Sequence, residues 1–206
     1  MNQASENGQA MVYVVDDDRA VRDSLALLLE SDGIVNETFD SADAFLAGFR
    51  PDRIGCLVAD IRMPGMNGLE LQQELISRKI EIPIIFITGH GDVPMAVDAM
   101  KSGAVDFLTK PFRNRDLLDR IETALGDART GFQGRLKLLE ARARYESLTP
   151  REVEVMALVV SGLANKVIAM DLGVSQRTVE LHRARVMQKM GVRSLAELVR
   201  VAESLK

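Results

Sequence analysis

The sequence predicts an α/β fold, a five-stranded doubly wound parallel sheet, followed by a small all-α domain. Short β-branched runs alternate with segments of helical spacing in the first part of the chain, and no strand signal returns after Ser147. The charge also changes sign along the chain. Residues 1–127 contain 12 Lys and Arg against 22 Asp and Glu, whereas residues 128–206 contain 14 against 8. We therefore expect two domains, the first acidic and the second basic.

The predicted strands are apolar runs too short to form helices of ordinary length. The segments between them carry apolar residues at helical spacing, as at Val21, Leu25 and Leu28. This alternation is typical of a parallel sheet with helices on both faces. The five predicted strands are Val12 to Val15, Ile34 to Phe39, Cys56 to Ala59, Ile82 to Ile87 and Val105 to Leu108.

Composition sets the predicted domain boundaries. Residues 1–10 are polar and lack periodicity, which predicts a disordered tail before a first domain over 11–126. Three glycines then interrupt the helical pattern before a charged helix over 135–146, so we predict a partly helical linker over 127–146 and a second domain over 147–206. In the linker, Leu136, Leu139 and Ala143 favour either a short coiled-coil seam or a solvated helix.

The remaining composition excludes several classes of protein. No run of about 18 apolar residues could span a bilayer, and the chain does not start like a signal peptide. We therefore expect a cytoplasmic protein with no membrane partner. The single cysteine, Cys56, opens an apolar run and can form no internal disulfide, which predicts a buried strand residue.

Polar side chains follow four of the predicted strands. Asp16 and Asp17 come after the first strand, Asp60 after the third, Thr88 after the fourth and Lys110 after the fifth. Because the carboxyl ends of parallel strands share one edge, we expect these residues to meet in one crevice. An aspartate after a strand is also a common helix N-cap, and we predict that role for the next residue, Asp18.

Clustered carboxylates indicate a cation and phosphoryl chemistry. Carboxylates held close together repel one another unless a cation lies among them, and an all-oxygen ligand set favours Mg²⁺. With Asp60 as nucleophile, the metal and Lys110 would neutralise a transferring phosphoryl group while Thr88 donates to one of its oxygens. His90 lies between two glycines, and we assign it no catalytic role.

These residues belong to motifs of a known family. Asp16-Asp17-Asp18, the run from Asp60 to Gly68, Thr88-Gly-His-Gly and Lys110-Pro111-Phe together resemble the receiver domain of bacterial response regulators, a flavodoxin-like fold, over residues 11–126. The resemblance implies that a sensor histidine kinase phosphorylates Asp60, with Mg²⁺ as cofactor. It further implies Mg²⁺ ligands at Asp17, Asp60 and the Arg62 backbone carbonyl, a water-mediated contact at Asp16, phosphoryl-stabilising or switch roles for Thr88, Lys110 and Phe107, and a cis Lys110-Pro111 bond.

The second domain carries the signals of closely spaced helices. Thr149 and Glu152 form a predicted capping box with proline between them, and Asn165 and Ser175 are predicted caps of the next two helices. The helices predicted over 165–172 and 175–190 are joined by a tight turn at Gly173. This arrangement indicates a helix-turn-helix.

The second of these helices has two distinct faces. Val179, Val186 and Met190 recur at helical spacing and are predicted to face the core, together with Val174 before the helix. The pattern suits either a helix lying in the DNA major groove or a solvated amphipathic helix. The opposite face contains Arg177, Glu180, Leu181, Ala184 and Gln188, and the cations bordering it are Arg183, Arg185 and Lys189.

Three motifs of the second domain resemble the LuxR-type helix-turn-helix; they run from Leu148 to Val155, from Gly162 to Ala169 and from Val174 to Arg183. Because a receiver-like domain precedes them, the whole chain resembles the FixJ-like regulators within the FixJ/NarL family. The resemblance implies base contacts at Glu180, Leu181 and Ala184. It implies phosphate contacts at Lys166, Arg177, Thr178, His182 and Arg185. The last helix, with Leu195, Leu198, Val199 and Ala202, either resembles the family's dimerisation helix or closes the domain's own core.

The carboxylate site and the helix-turn-helix together predict a phosphorylation-activated transcriptional regulator rather than an enzyme. Its expected partners are a sensor kinase, double-stranded promoter DNA, a second copy of the chain and RNA polymerase. The alternative is a Mg²⁺-dependent phosphohydrolase with an aspartyl-phosphate intermediate, which is disfavoured because Arg62 stands where such an enzyme needs a second aspartate. A domain that binds DNA without being phosphorylated is disfavoured because none of the site residues is missing.

Overall fold

The computed structural model describes residues 10–51, 53–89 and 93–205, without the side chains of residues 93 and 94. The chain divides into two compact units, Met1–Phe132 and Gln133–Lys206. The predicted tail lies outside the described residues except for Ala10, which is buried. His90 also lies outside them.

The first unit contains the predicted five-stranded parallel sheet, and this part of the prediction is confirmed. The strand order is β2-β1-β3-β4-β5, so the connection from β2 to β3 crosses β1. Val15 pairs with both Phe39 and Ala59, and Thr88 pairs with Thr109, which aligns the carboxyl ends of the strands. The strands are β1 Met11–Val15, β2 Val35–Phe39, β3 Gly55–Asp60, β4 Ile84–Thr88 and β5 Asp106–Thr109.

Helices cover both faces of the sheet because successive residues of the buried strands point to opposite sides. Tyr13 and Leu57 pack into the core cluster on one face, whereas Val12, Val58 and Cys56 pack into the cluster on the other. Burial raises the pKa of the Cys56 thiol to about 12, in line with its predicted place in a strand. The helices are α1 Arg19–Ser31, α2 Ala42–Gly48, α3 Gly68–Ser77, α4 Val93–Lys101 and α5 Asn114–Glu146.

Helix α5 differs from the prediction of a partly helical linker, since residues 114–146 form one continuous helix. The glycines at 126, 131 and 134 lie inside it, and nothing approaches within 4 Å of the position where each Cβ would be. A glycine inside a helix costs about 1 kcal/mol relative to alanine, but it does not remove a backbone hydrogen bond as proline would. The three glycines therefore weaken the helix without interrupting it, contrary to the expectation from composition.

The second unit is helical, and its elements match the predicted helix-turn-helix. Helix α6 begins after the Thr149 capping box with Pro150 in its first turn, and Ser175 caps α8, as predicted. Gly173, in the turn between α7 and α8, has a φ of 64°, a left-handed conformation that favours glycine. The helices after α5 are α6 Pro150–Val160, α7 Asn165–Asp171, α8 Gln176–Met190 and α9 Leu195–Ser204.

One predicted cap is wrong. Helix α7 has Ala164 at its N-cap position with no side-chain hydrogen bond, and Asn165 is the first helical residue. The Asn165 Oδ1 atom instead accepts a hydrogen bond from Arg183 Nη1 at 2.6 Å. The Asn165 side-chain oxygen therefore makes a tertiary contact with Arg183 of α8 and does not cap α7.

The core of the second unit contains the residues that the helical spacing predicted. Val179, Val186 and Met190 are buried, with Val174 packed beside them. Leu198 of α9 is buried in the same cluster, while Leu195 remains exposed. Helix α9 therefore helps to close the domain's own core. None of the described helices is both long and apolar enough to cross a membrane.

A buried ion pair joins the start of α6 to the end of α8. Glu152 is 3% exposed, and its Oε2 accepts from the Thr149 N–H at 2.9 Å and from Lys189 Nζ at 2.7 Å. The Lys189 ammonium, and next the Thr149 N–H, lower the pKa of the Glu152 carboxyl to about 2. Lys189 also donates to the Ser147 carbonyl at 3.1 Å. The ionised carboxylate is therefore favoured in the folded unit.

We predict that Glu152→Gln weakens this unit at neutral pH and not under strong acid. Because the folded pKa lies below the ordinary 4.5, the stabilisation is full above about pH 4.5 and is lost as the pH falls towards 2. Hydrogen exchange of the α6 and α8 amides in the full chain should be faster in the variant at neutral pH, with the difference shrinking below pH 4.5. Glu154→Gln, which alters an exposed ion pair with Arg151, is the matched control and should change little. A difference that persists unchanged at pH 2 would contradict the assignment.

Candidate functional site

The strand ends bring three charged groups of the predicted crevice together. Lys110 Nζ lies 2.7 Å from Asp16 Oδ2 and 3.1 Å from Asp60 Oδ1, although the two aspartates follow different strands. Both carboxylates are buried, with Asp16 1% and Asp60 6% exposed. These contacts exist because β1 and β3 are neighbours in the sheet and β5 ends at the same edge.

Opposing effects act on the pKa of the buried Asp60 carboxylate. Burial raises its pKa, while the Lys110 ammonium and the Arg62 N–H lower it and the charge of Asp16 raises it further. The Arg62 N–H donates to Asp60 Oδ2 at 2.6 Å, so each carboxylate oxygen already has one donor. For Lys110, burial lowers the pKa, but the hydrogen bonds from its ammonium to Asp16 and Asp60 outweigh burial and raise it. Lys110 therefore remains a cation beside the two carboxylates.

Local backbone contacts fix the loop that follows Asp60. Asn67 caps α3 in a capping box with Glu70, and the Gly68 N–H donates to the Ile61 carbonyl at 2.9 Å. A Cβ at Gly68 would collide with the Asp60 carbonyl oxygen, so only glycine permits this approach. Residues 67 and 68 thus position the candidate nucleophile without touching its carboxylate.

Arg22 is a site residue that the sequence pattern did not reveal. Its Nη1 donates to the backbone carbonyls of Asp16 and Asp17 at 2.7 and 3.0 Å. Asp18 caps α1 by accepting from the Ala20 N–H, as predicted, and its own N–H donates to Asp16 Oδ1. The only sequence signal for Arg22 is its place in the first turn of the helix after the acidic loop.

Two of the predicted metal ligands, Asp17 and Arg62, line one cleft. Asp17 is exposed, and it lines the cleft together with Arg62, Asn67 and Met95. No group of three or more His, Cys, Asp or Glu side chains in the described part of the chain is arranged to hold a metal. The predicted set has only two carboxylates, with a backbone carbonyl and water completing it. All these donors are oxygens, which fits Mg²⁺.

Thr88 and Phe107 lie on the adjacent strands β4 and β5. Thr88 is buried at the end of β4, and its carbonyl accepts from the Lys110 N–H at 2.8 Å. Phe107 is half-buried on β5, paired in register with Phe86, and packs against the core. The Lys110-Pro111 peptide is cis, as the family resemblance implied. Thr88 therefore adjoins the carboxylate site through the backbone of Lys110, and the switch roles of Thr88 and Phe107 stay predictions.

The helix α8 presents the exposed face that its pattern predicted. Leu181 is 51% exposed, and Glu180 and Ala184 lie beside it, also exposed. Arg177 and Gln188 are exposed on the same helix. The Thr178 hydroxyl is hydrogen-bonded to Ser175 at 2.8 Å. The Nδ1 atom of His182 is buried with no hydrogen-bond partner in the described structure, which leaves Nε2 as its available nitrogen.

The cations of the helix-turn-helix fall into two groups. Lys166, Arg177 and Arg185 are exposed and have no ion pair or hydrogen bond through their side chains to any described residue. Arg183 and Lys189, which were expected to border the DNA-facing side, instead bond to Asn165 and Glu152 within the domain. Their side chains find acceptors in neighbouring helices, a half-buried amide in Asn165 and a buried carboxylate in Glu152, so both cations already have partners inside the domain.

Known protein families match both units. The response regulator receiver domain family matches residues 12–122, and the family of bacterial regulatory proteins of the luxR type matches residues 146–202. These are domains of transcriptional regulators and not of enzymes, which excludes the phosphohydrolase alternative.

Relatives match almost the entire chain. The transcriptional regulatory protein FixJ of Azorhizobium caulinodans is 53% identical over 93% of this chain and 90% of its own length, and the response regulator protein TmoT of Ectopseudomonas mendocina is 48% identical over 96% and 90%. The solved structure of the response regulator StyR has a TM-score of 0.85 at 49% identity, covering 95% of this chain and 99% of its own. Full-length FixJ from B. japonicum has a TM-score of 0.56 at 46% identity, covering 95% and 96%. The chain therefore belongs to the FixJ-like response regulators, with a receiver domain followed by a LuxR-type DNA-binding domain.

Proposed function

We propose that Asp60 accepts a phosphoryl group from a sensor histidine kinase. The observation that carries the proposal is the buried Asp60 carboxylate, held 3.1 Å from the Lys110 ammonium at the carboxyl edge of the sheet. A carboxylate oxygen attacks phosphorus, the bond to the donor breaks, and an acyl phosphate forms on Asp60. Lys110 then neutralises charge on the phosphoryl oxygens, and Thr88 donates a hydrogen bond to one of them.

Mg²⁺ is the proposed cofactor, with ligands from Asp17, Asp60 and the Arg62 backbone carbonyl, and with Asp16 acting through water. The ion supplies charge neutralisation for the transferred phosphoryl group. The all-oxygen donor set and the exposed position of Asp17 beside Arg62 support this assignment. Asp16 is the less exposed of the two buried aspartates, which supports an indirect role for it.

The proposed output is a change in DNA binding that regulates transcription in the cytoplasm. Phosphorylation rearranges the Thr88 and Phe107 face, promotes pairing of two chains, and brings two DNA-binding domains to an operator with two half-sites, next to RNA polymerase. Exposed Glu180, Leu181 and Ala184 contact bases. The proposed phosphate contacts are Lys166, Arg177, Thr178, His182 and Arg185, and the three cations among them are unpaired within the described structure.

We expect acetyl phosphate with Mg²⁺ to add one phosphoryl group to the wild-type chain and none to Asp60→Asn. The amide cannot form an acyl phosphate, and its size leaves the site otherwise intact. Mass spectrometry of the intact protein measures incorporation. Asp43→Asn, which alters an exposed aspartate at the start of α2, is the matched control and should be phosphorylated normally. Equal incorporation in wild type and Asp60→Asn would show that another residue is the acceptor.

Mg²⁺ should stabilise the receiver domain through Asp17. At about ten times its Kd, an ion that binds only the folded state adds about 1.4 kcal/mol to the free energy of unfolding. Thermal unfolding of the full chain should show this increase for wild type and its loss in Asp17→Asn. Asp18→Asn changes the neighbouring carboxylate but keeps a good N-cap, so it should respond to Mg²⁺ like wild type. The same response in Asp17→Asn would exclude Asp17 as a ligand.

DNA affinity should fall steeply with salt, and the exposed cations should set the slope. Each phosphate contact contributes about 0.9 to the magnitude of the slope of log K against log salt concentration. Lys166→Ala and Arg177→Ala should each reduce that magnitude by about this amount in fluorescence anisotropy titrations. Arg50→Ala, which removes an exposed cation of the first unit, should leave the slope unchanged. Slopes that do not respond to either substitution would argue against these phosphate contacts.

A further inference from the structure

Arg183 is a charged residue on the face of α8 that carries the buried core residues. The buried residues Val179, Val186 and Met190 lie along one side of the helix, and Arg183 falls between the first two, four residues after Val179 and three before Val186. Residues at these spacings share one helical face. Arg183 therefore belongs to the inward face of α8.

The surroundings of Arg183 agree with this placement. Its side chain lines a small internal cavity together with Val155, Val159, Val186 and Leu198, which are all buried core residues. Arginine commonly lays its aliphatic stem along apolar surface while its charged end finds a polar partner. Here the charged end reaches Asn165 Oδ1 at 2.6 Å, at the first turn of α7. The hydrogen bond thus spans the two helices of the helix-turn-helix.

The two bonded residues each adjoin a proposed DNA contact. Lys166, a proposed phosphate contact on α7, follows Asn165, and Ala184, a proposed base contact on α8, follows Arg183. The bond therefore fixes the distance between a group that holds the DNA backbone and a group that faces the bases. A phosphate contact sets the register of a protein on DNA, and base contacts read sequence only when that register is correct.

We propose that Arg183 is a positioning residue for sequence-specific DNA recognition, acting through Asn165 and making no phosphate contact of its own. The inference rests on the proposed DNA-binding function and assigns different roles to two cations of α8, positioning to Arg183 and phosphate binding to Arg185. Arg185, two residues later, is exposed and unpaired among the described residues, and it is the matched phosphate-binding cation.

The test compares variants of the full chain, all treated with acetyl phosphate and Mg²⁺, on two DNA probes. One probe is a duplex that the wild-type protein selects from a random pool, and the other is a mixed-sequence duplex of equal length. Arg183→Ala should weaken binding to the selected duplex about tenfold, as expected for one lost charge-assisted hydrogen bond, while leaving the salt slope and mixed-sequence binding unchanged. Arg185→Ala should instead lower the magnitude of the slope by about 0.9 and weaken binding to both duplexes.

Asn165 supplies variants that do not disturb the apolar stem of Arg183. Asn165→Ala should reproduce the Arg183→Ala phenotype, Asn165→Asp should retain wild-type discrimination because it keeps the acceptor, and the double variant Asn165→Ala, Arg183→Ala should be no worse than either single variant. A lower slope in Arg183→Ala, unchanged discrimination in Asn165→Ala, or additive losses in the double variant would each overturn the inference. If wild type selects no duplex at all, the proposed DNA-binding function itself fails, and this result is distinct from the other three.

Discussion

The receiver site depends on one ammonium group that holds two buried carboxylates together. Without Lys110, Asp16 and Asp60 would face each other at the sheet edge as like charges that burial also disfavours. The sheet order makes this arrangement possible because the two aspartates follow adjacent strands and the lysine follows a strand ending at the same edge. Arg22, Asn67 and Gly68 then fix the loops around it. The fold thus holds the proposed nucleophile, Asp60, beside a cation that partly neutralises its charge.

The sheet and its polar edge were predictable because their signals are local in sequence. Each strand is a short apolar run, and the polar residue that ends it can be identified without knowing the neighbouring strand. Parallel topology then implies the meeting of Asp16, Asp60 and Lys110. Arg22 and Gly68 could not be recognised in this way, since one acts through backbone carbonyls and the other through the absence of a side chain.

The misjudged features all involve contacts distant in sequence or the balance of weak local preferences. Asn165 has the residue type of a helix cap, but a cation 18 positions later takes its oxygen. Arg183 and Lys189 border an exposed face in the helical pattern, and a pattern that classifies residues by polarity cannot show that each has a partner in a neighbouring helix. Since two cations are paired inside the domain, the net positive charge of residues 128–206 is larger than the charge available to bind DNA phosphates. In α5, three glycines weaken a helix whose remaining residues still sustain it.

Cys56 gives the receiver a chemical property of a different kind. Its thiol is fully buried on β3, the strand that ends in Asp60, and its pKa of about 12 keeps it protonated. Since the thiolate is the reactive form of cysteine, Cys56 is protected from alkylating agents and oxidants in the native domain. Alkylation of Cys56 therefore requires the central strand to open. The rate of thiol labelling in the native chain thus measures how often the strand carrying Asp60 leaves its place in the sheet.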